Sequence, residues 1–241
     1  MEEITDGLLA DLSNHKEINV LQSYASILPI MVISDLLGVP KEDRNLIKKW
    51  SDDLMLLVFG AAGVENRHEA ASKSLAEMVD YFKDIIKERR IRPKDDLISA
   101  LVEATEDEDK LTEEEAVSTC TLLIFGGHET TTNLIANGLL AFHNNPGQLE
   151  LLKESSSLIT TAVDEILRYD GPSKAMVRVA KQDLVIRDKE IAAGEKVLLV
   201  QAAANRDPEM FERPDEFDIT RSPNPHLGFG RGIHYCLGAP L

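Results

Sequence analysis

Cysteine is scarce in this sequence, and the scarcity excludes a good deal. Cys120 and Cys236 are the only two among 241 residues. Two are too few for a secreted disulfide framework, so a reducing, cytoplasmic setting is expected. Basic side chains are short as well, 26 Lys and Arg against 42 Asp and Glu, for a formal charge of −16. Such a chain repels phosphate backbones and anionic lipid, so neither nucleic acid nor a membrane surface is expected as a partner. No apolar run approaches the ~18–20 residues that cross a bilayer. The start, Met1-Glu2-Glu3-Ile4, has neither the basic nor the apolar part of a secretory leader. Internal repeats and low-complexity tracts are missing too. What remains, 43% hydrophobic and 28% charged residues, suits a soluble globular protein with a substantial core. The acid clusters in runs such as 103–108 and 113–115, which read as solvated helix ends and a loop.

The first two-thirds repeat at helical period. Ile4, Leu8, Leu9 and Leu12 mark one amphipathic face, and Ile27, Ile30, Met31, Ser34 and Leu37 a more buried one that stops at Gly38-Val39-Pro40. Further helices are expected over 41–58, 65–90 and 95–104. Thr112-Glu113-Glu114-Glu115 is a capping-box pattern, and no proline interrupts the chain from there to Asn144. One helix of about 32 residues, roughly 48 Å long, is predicted over 112–144. Two shorter helices follow, at 147–154 and 156–169. After Pro172 the period changes. Residues 177–179, 184–186 and 196–200 read as short strands, with a turn at 193–195. A proline-rich meander then fills 205–226, long enough without regular structure to suggest a functional reason.

Two stretches carry chemistry. Leu227-Gly228-Phe229-Gly230-Arg231-Gly232-Ile233-His234-Tyr235-Cys236-Leu237-Gly238 sets a soft sulfur donor among four glycines, beside an arginine and a histidine. Glycines there permit positive φ and let backbone approach a bulky flat group. A zinc site would need more cysteines at short spacing. A nucleophile with His234 two residues away has poor geometry for a general base, and Gly228-x-Gly230 lacks the strand–loop–helix unit of a dinucleotide fingerprint. An inert cysteine in a glycine-rich turn stays open on these residues alone. The second stretch, Phe125-Gly126-Gly127-His128-Glu129-Thr130-Thr131-Thr132, falls inside the long helix. Two glycines there cost about 1 kcal/mol each against alanine, so a kink, a close helix contact or room for a ligand must compensate. Threonine hydroxyls bonding back to carbonyls one turn earlier are the plain alternative.

Taken together these stretches resemble the cytochrome P-450 family, most closely its soluble bacterial members. Phe229 to Gly238 matches the family's haem-loop pattern F-x-x-G-x-[R/H]-x-C-x-G, and Gly126-Gly127-His128-Glu129-Thr130 matches its central-helix pattern [A/G]-G-x-[D/E]-T. Glu165-Ile166-Leu167-Arg168 supplies its E-x-x-R pair between them. Ala204-Asn205-Arg206-Asp207-Pro208 and Phe211-x-x-Pro214-x-x-Phe217 follow in the family's order.

The resemblance implies a mainly α fold with a small β part. It would be a single incomplete domain over 1–241, helical over 1–170, with strands, meander and cysteine loop over 171–241. It implies haem b (iron protoporphyrin IX) with Cys236 as the proximal iron ligand. Phe229 and Gly230 of the loop and Gly126 and Gly127 of the helix would line the cofactor. Arg178 and His234 fall where the family has haem-propionate partners, with His226 a further candidate. Glu129 and Thr130 would form a proton relay, while Thr131 and Thr132 would finish helix packing and His128 has no assigned role. Glu165 and Arg168 would be a structural pair. Glu216 stands where the family often has the cluster's second arginine, leaving Arg206 or Arg213 as substitutes.

The activity implied is that of a monooxygenase inserting one atom of dioxygen into a small apolar substrate. Electrons would come from a ferredoxin or flavodoxin with its reductase, since no flavin or iron–sulfur motif is present. The family's amino-terminal sheet and the helix following the cysteine have no full counterpart, which suggests a fragment. A catalytically inactive haem-binding or redox-partner-binding remnant is therefore the alternative. A thiol-dependent hydrolase is disfavoured by the other motifs. Residues selecting the substrate are expected in the absent amino-terminal part or at 55–66.

Overall fold

The computed structural model describes residues 1–58, 66–105 and 111–241. Most of the 55–66 stretch and part of the acidic 103–108 run lie outside the described residues. The chain divides into two compact units, Met1–Thr132 and Asn133–Leu241.

The first unit is helical. α1 (Glu2–Leu12), α2 (Ile27–Leu37), α3 (Arg44–Val58), α4 (Arg67–Ile91) and α5 (Leu97–Thr105) lead into α6 (Glu113–Asn144). A π-turn over Leu21–Ala25 and a 3-10 turn over Lys41–Asp43 precede α2 and α3. Ile33, Ile47, Met78, Phe82, Ile98 and Ile124 belong to one apolar core. Trp50, Tyr81 and Phe82 meet edge-on at ring-centroid separations of 5.5 Å, a geometry that suits aromatic quadrupoles.

Gly38 ends α2 with φ +72°, where the Val39 N–H reaches back to the Ser34 carbonyl. Any side chain at 38 would strike Asp96. Buried Arg89, at the end of α4, donates to Asp96 at 2.6 Å and to the Gly38 carbonyl at 2.9 Å, fastening three helix ends together. Burial raises the Asp96 carboxyl, but hydrogen bonds from Arg89 and Ser99 outweigh it and hold the group below the usual range.

The capping box forms as its sequence requires. Glu115 N–H donates to Thr112 Oγ1 at 3.2 Å, and Thr112 N–H donates to the Glu115 carboxylate at 2.7 Å. The Thr112 N–H, joined by the Thr112 hydroxyl at 2.9 Å, holds the Glu115 carboxyl below the ordinary carboxylate range. α6 continues unbroken to Asn144, in the second unit.

In that unit α7 (Pro146–Glu154) and α8 (Ile159–Asp170) pack around Phe142, Ala162, Phe217 and Ile219. Strands β1 (Met176–Val179) and β4 (Lys196–Leu199) pair antiparallel, with Arg178 opposite Val197. Between them in sequence, β2 (Leu184–Ile186) and β3 (Lys189–Ile191) form a hairpin whose turn residues, Arg187 and Asp188, both take positive φ. The short helix α9 (Gln201–Ala204) opens the meander. The mainly α architecture with a small β part agrees with the sequence reading. Among the described residues no helix is long and apolar enough to cross a membrane.

Candidate functional site

The cysteine loop is built from its own backbone bonds. The Leu227 carbonyl accepts the Gly230 N–H at 2.9 Å, and the Phe229 carbonyl accepts the Cys236 N–H at 2.9 Å. Gly230 sits at φ +72°, which a side-chain-bearing residue would resist at this turn. A 3-10 turn over Gly232–His234 leads to Tyr235, and a further turn follows Cys236, whose carbonyl accepts the Ala239 N–H at 3.3 Å. Cys236 itself is a free, exposed thiol. Cys120 differs in kind, because burial pushes its thiol up to about 12 and leaves it an inert core residue.

Around the thiol the loop presents apolar side chains outward. Ile233 is 97% and Leu237 72% exposed. Val177 and Val179 on β1 and Leu198 on β4 are also exposed. One soft donor on a loop that also exposes Ile233 and Leu237 fits a large apolar iron macrocycle, and it does not fit a zinc ion that needs several thiolates.

The other expected cofactor contacts are placed as follows. Phe229 packs between His226 and Tyr235, with ring centroids 6.1 Å from each. Gly230 passes Met176, the first residue of the strand that carries Arg178. Arg178 is exposed and donates to the Val177 carbonyl at 3.0 Å. His234 is exposed in the 3-10 turn. Both ring nitrogens of His226 have protein partners: Nδ1 accepts the Gly228 N–H at 3.0 Å, and Nε2 faces Asp164 at 3.4 Å.

The Glu165–Arg168 pair on α8 is fully buried. Arg168 forks onto both Glu165 oxygens at 2.8 Å, and its remaining hydrogens reach the carbonyls of Asn205, Pro214 and Glu216 at 2.7–2.9 Å. Its guanidinium lies 5.3 Å from the Phe211 ring centroid. The third member of this cluster is Arg221, which donates to Glu165 at 3.1 and 3.3 Å. That corrects the expectation of Arg206 or Arg213. Arg206 is drawn off by Asp215 at 2.9 Å and lies 4.0 Å over the Tyr169 ring, and Arg213 pairs with Glu216 at 2.8 Å. The Asp218 N–H and the Asn224 amide complete the shell around Glu165. The signal missed was one more arginine just past Phe217, where the meander turns back on itself.

On α6, Gly126 and Gly127 cause no break. A side chain at 127 would touch Ile33 at an ordinary 3.7 Å, and one at 126 would meet nothing within 4 Å. Among the described residues, Gly126 is thus exposed with open space beside it, and Gly127 faces Ile33 of α2. Glu129 and Thr130 are both half-buried, and Thr130 Oγ1 donates to the Gly126 carbonyl at 2.6 Å. Thr132 is buried and bonds to the His128 carbonyl at 3.0 Å, while Thr131 is exposed.

His128, given no role by the sequence, is fully buried. Nε2 lies 3.2 Å from the Ser26 carbonyl and Nδ1 3.1 Å from the Ser51 hydroxyl, so the Nε2–H tautomer satisfies both partners. Burial pulls its pKa below the ordinary histidine value, against the pull of Asp52. Donor atoms of Asp52, His128 and Glu129 lie within 4.8 Å of one another, but the imidazole already has both nitrogens engaged.

Comparison with known proteins gives the family. The biotin biosynthesis cytochrome P450 of Bacillus subtilis is 45% identical over 239 residues, covering 99% of this chain and 60% of that protein. The vitamin D(3) 25-hydroxylase of Pseudonocardia autotrophica is 42% identical, over 99% of this chain and 58% of its own. Among solved structures, P450BioI bound to an acyl carrier protein carrying hexadec-9Z-enoic acid superposes with a TM-score of 0.91 at 43% identity. That match covers 98% of this chain and 61% of the other. The Bacillus subtilis bacillaene polyketide synthase cytochrome P450 PksS gives a TM-score of 0.92 at 41% identity, over 100% of this chain and 61% of its own. The chain thus spans about three-fifths of the length of these relatives. Residues 44–241 match the profile of the cytochrome P450 family, and on that match, with the cysteine loop and the buried Glu165 cluster in place, the chain belongs to it.

Proposed function

We propose that this chain carries the thiolate-ligand half of a haem monooxygenase that inserts one oxygen atom of dioxygen into an apolar organic substrate. The family's cofactor is haem b, and Cys236 is the residue that would hold its iron. The observation that carries the reading is an exposed thiol closing a glycine-rich loop whose amide is already fixed by the Phe229 carbonyl. Haem, when bound, supplies the iron at which dioxygen is activated. Arg178, a permanent cation, and His234, a ring N–H donor, are both exposed and would take the propionates.

Thr130 directs its hydroxyl hydrogen at the Gly126 carbonyl, so its oxygen keeps lone pairs free to accept. Glu129, one residue earlier, is the group that would bring the proton, a division of labour open to an acid beside an alcohol. Electrons would come from a ferredoxin or flavodoxin with its reductase. The hexadec-9Z-enoic acid on the carrier protein bound to P450BioI supports an apolar substrate class.

The uncovered apolar side chains of the loop and of β1 and β4 favour a second reading, a haem-binding or partner-binding remnant without turnover. Haem titration tests the first claim. The ferrous–CO complex should show the red-shifted Soret band of thiolate ligation, and Cys236→Ser should abolish it. A band unchanged by the substitution would overturn the ligand assignment. Turnover with a surrogate reductase then separates enzyme from remnant.

A further inference from the structure

The cysteine loop departs from the meander at Leu227, and buried amides hold both backbone polar groups of that residue. Asn205 Oδ1 accepts the Leu227 N–H at 2.8 Å, and Gln201 Nε2 donates to the Leu227 carbonyl at 2.7 Å. The two side chains stand one turn apart on and just after α9, 5% and 3% exposed. Their orientations are set from behind. The Ser173 hydroxyl donates to Gln201 Oε1 at 3.0 Å, which leaves Nε2 as the end facing Leu227. Arg168 donates to the Asn205 carbonyl at 2.9 Å, which fixes the backbone that presents Asn205.

The same Leu227 carbonyl also accepts the Gly230 N–H, and the next bond along, Cys236 N–H to the Phe229 carbonyl, places the cysteine. Beside Leu227, Gly228 presses on α8, where an added side chain would come within 3.0 Å of Leu167 Cβ and 3.2 Å of its carbonyl oxygen.

We propose that Gln201 and Asn205 are positioning residues for Cys236: a donor and an acceptor that clamp Leu227 and so fix the turn on which the cysteine amide closes. The part of this that concerns iron rests on reading Cys236 as the haem ligand. The clamp requires opposite chemistry at its two ends. Position 205 must accept a hydrogen bond, so an aspartate serves there. Position 201 must donate one, so a glutamate fails. A merely space-filling role would treat the two acids alike.

The test is amide hydrogen exchange at Gly230 and Cys236 in the full 241-residue chain, with helical circular dichroism as the check on folding. Asn205→Leu, Gln201→Glu and Gln201→Met should each speed exchange at both amides about tenfold, the loss of roughly one net hydrogen bond. Asn205→Asp should leave them within about twofold of the unsubstituted chain. Gln201→Met covers the case in which a buried glutamate unfolds the site. Equal effects of the two acids, or unchanged exchange at Cys236 in Asn205→Leu and Gln201→Met, would overturn the clamp.

In the haem-loaded chain the loosened variants should lose the red-shifted ferrous–CO band toward an unshifted one, and Asn205→Asp should keep it. A band untouched by Gln201→Met would overturn the link to the iron. If Cys236→Ser leaves that band in place, the ligand reading itself falls, while the exchange result still decides the clamp.

Discussion

Glu165 shows how much one buried carboxylate organises. Its two oxygens take a forked arginine, a second arginine, a backbone amide and an asparagine amide, all within 3.3 Å. A buried ion group of this kind is held by completeness, since removal of one partner strands the other charge in low dielectric at a cost of about 3–5 kcal/mol. Arg221 is the informative member, because its side chain is 8% exposed while those of Arg206 and Arg213 are 31% and 56% exposed. Arg221→Ala should lower the urea midpoint far more than Arg213→Ala, whose exposed pair contributes under about 1 kcal/mol. Arg206→Ala should fall between them, because it also loses its contact with Tyr169. Equal midpoints for the Arg221 and Arg213 variants would remove Arg221 from the cluster. The sequence could not rank these arginines, since all three sit in a stretch without periodicity.

At the scale of elements, what could be read depended on length. The helices from α1 to α8 carry apolar side chains at 3.6-residue spacing or a recognisable cap, as with Thr112 and Glu115 at the head of α6. The π-turn over Leu21–Ala25, the strand Lys189–Ile191 and the four-residue helix Gln201–Ala204 were not legible, because three to five residues are too few to show a period. Arg187 and Asp188 also lack the glycine that usually signals a two-residue hairpin. The cysteine loop and the Gly126–Thr130 stretch were legible only as patterns. His128 was missed because its burial depends on α3 and the Ser26 turn, which lie far off in sequence.

The helix glycines can be separated by substitution. Gly126→Ala adds a methyl in open space and restores helix propensity, so the unfolding midpoint should rise by about 1 kcal/mol equivalent. Gly138→Ala gains the same propensity but sets its Cβ 2.9 Å from Ile166 Cδ1, so its rise should be smaller. If the space beside Gly126 is used by a ligand, Gly126→Ala should also weaken haem uptake while stabilising the chain without haem. Tighter haem uptake in that variant would rule the ligand out.

For the whole molecule the question is what the chain does with apolar surface that it leaves in water. In the second unit Ile233, Leu237, Leu198 and Val179 are each more than half exposed. Singly such residues are ordinary, but Ile233 and Leu237 flank a free thiol on one short loop, and that stretch of surface has something to bind. A ligand that binds the folded chain and not the unfolded one stabilises it by mass action, by about 2.7 kcal/mol when present at a hundredfold excess over its dissociation constant. For a chain of this size that corresponds to roughly 5–10 °C in melting temperature. Haem should therefore raise the melting temperature progressively with concentration, and Cys236→Ser should lose most of that rise. Cys120→Ser, in the core of the first unit, should melt lower without haem and still gain the full increment when haem is added. A rise of equal size in the Cys236 and Cys120 variants would mean that haem merely coats the apolar surface. An increment that follows Cys236 alone would show that this chain retains a specific thiolate site at three-fifths of its relatives' length.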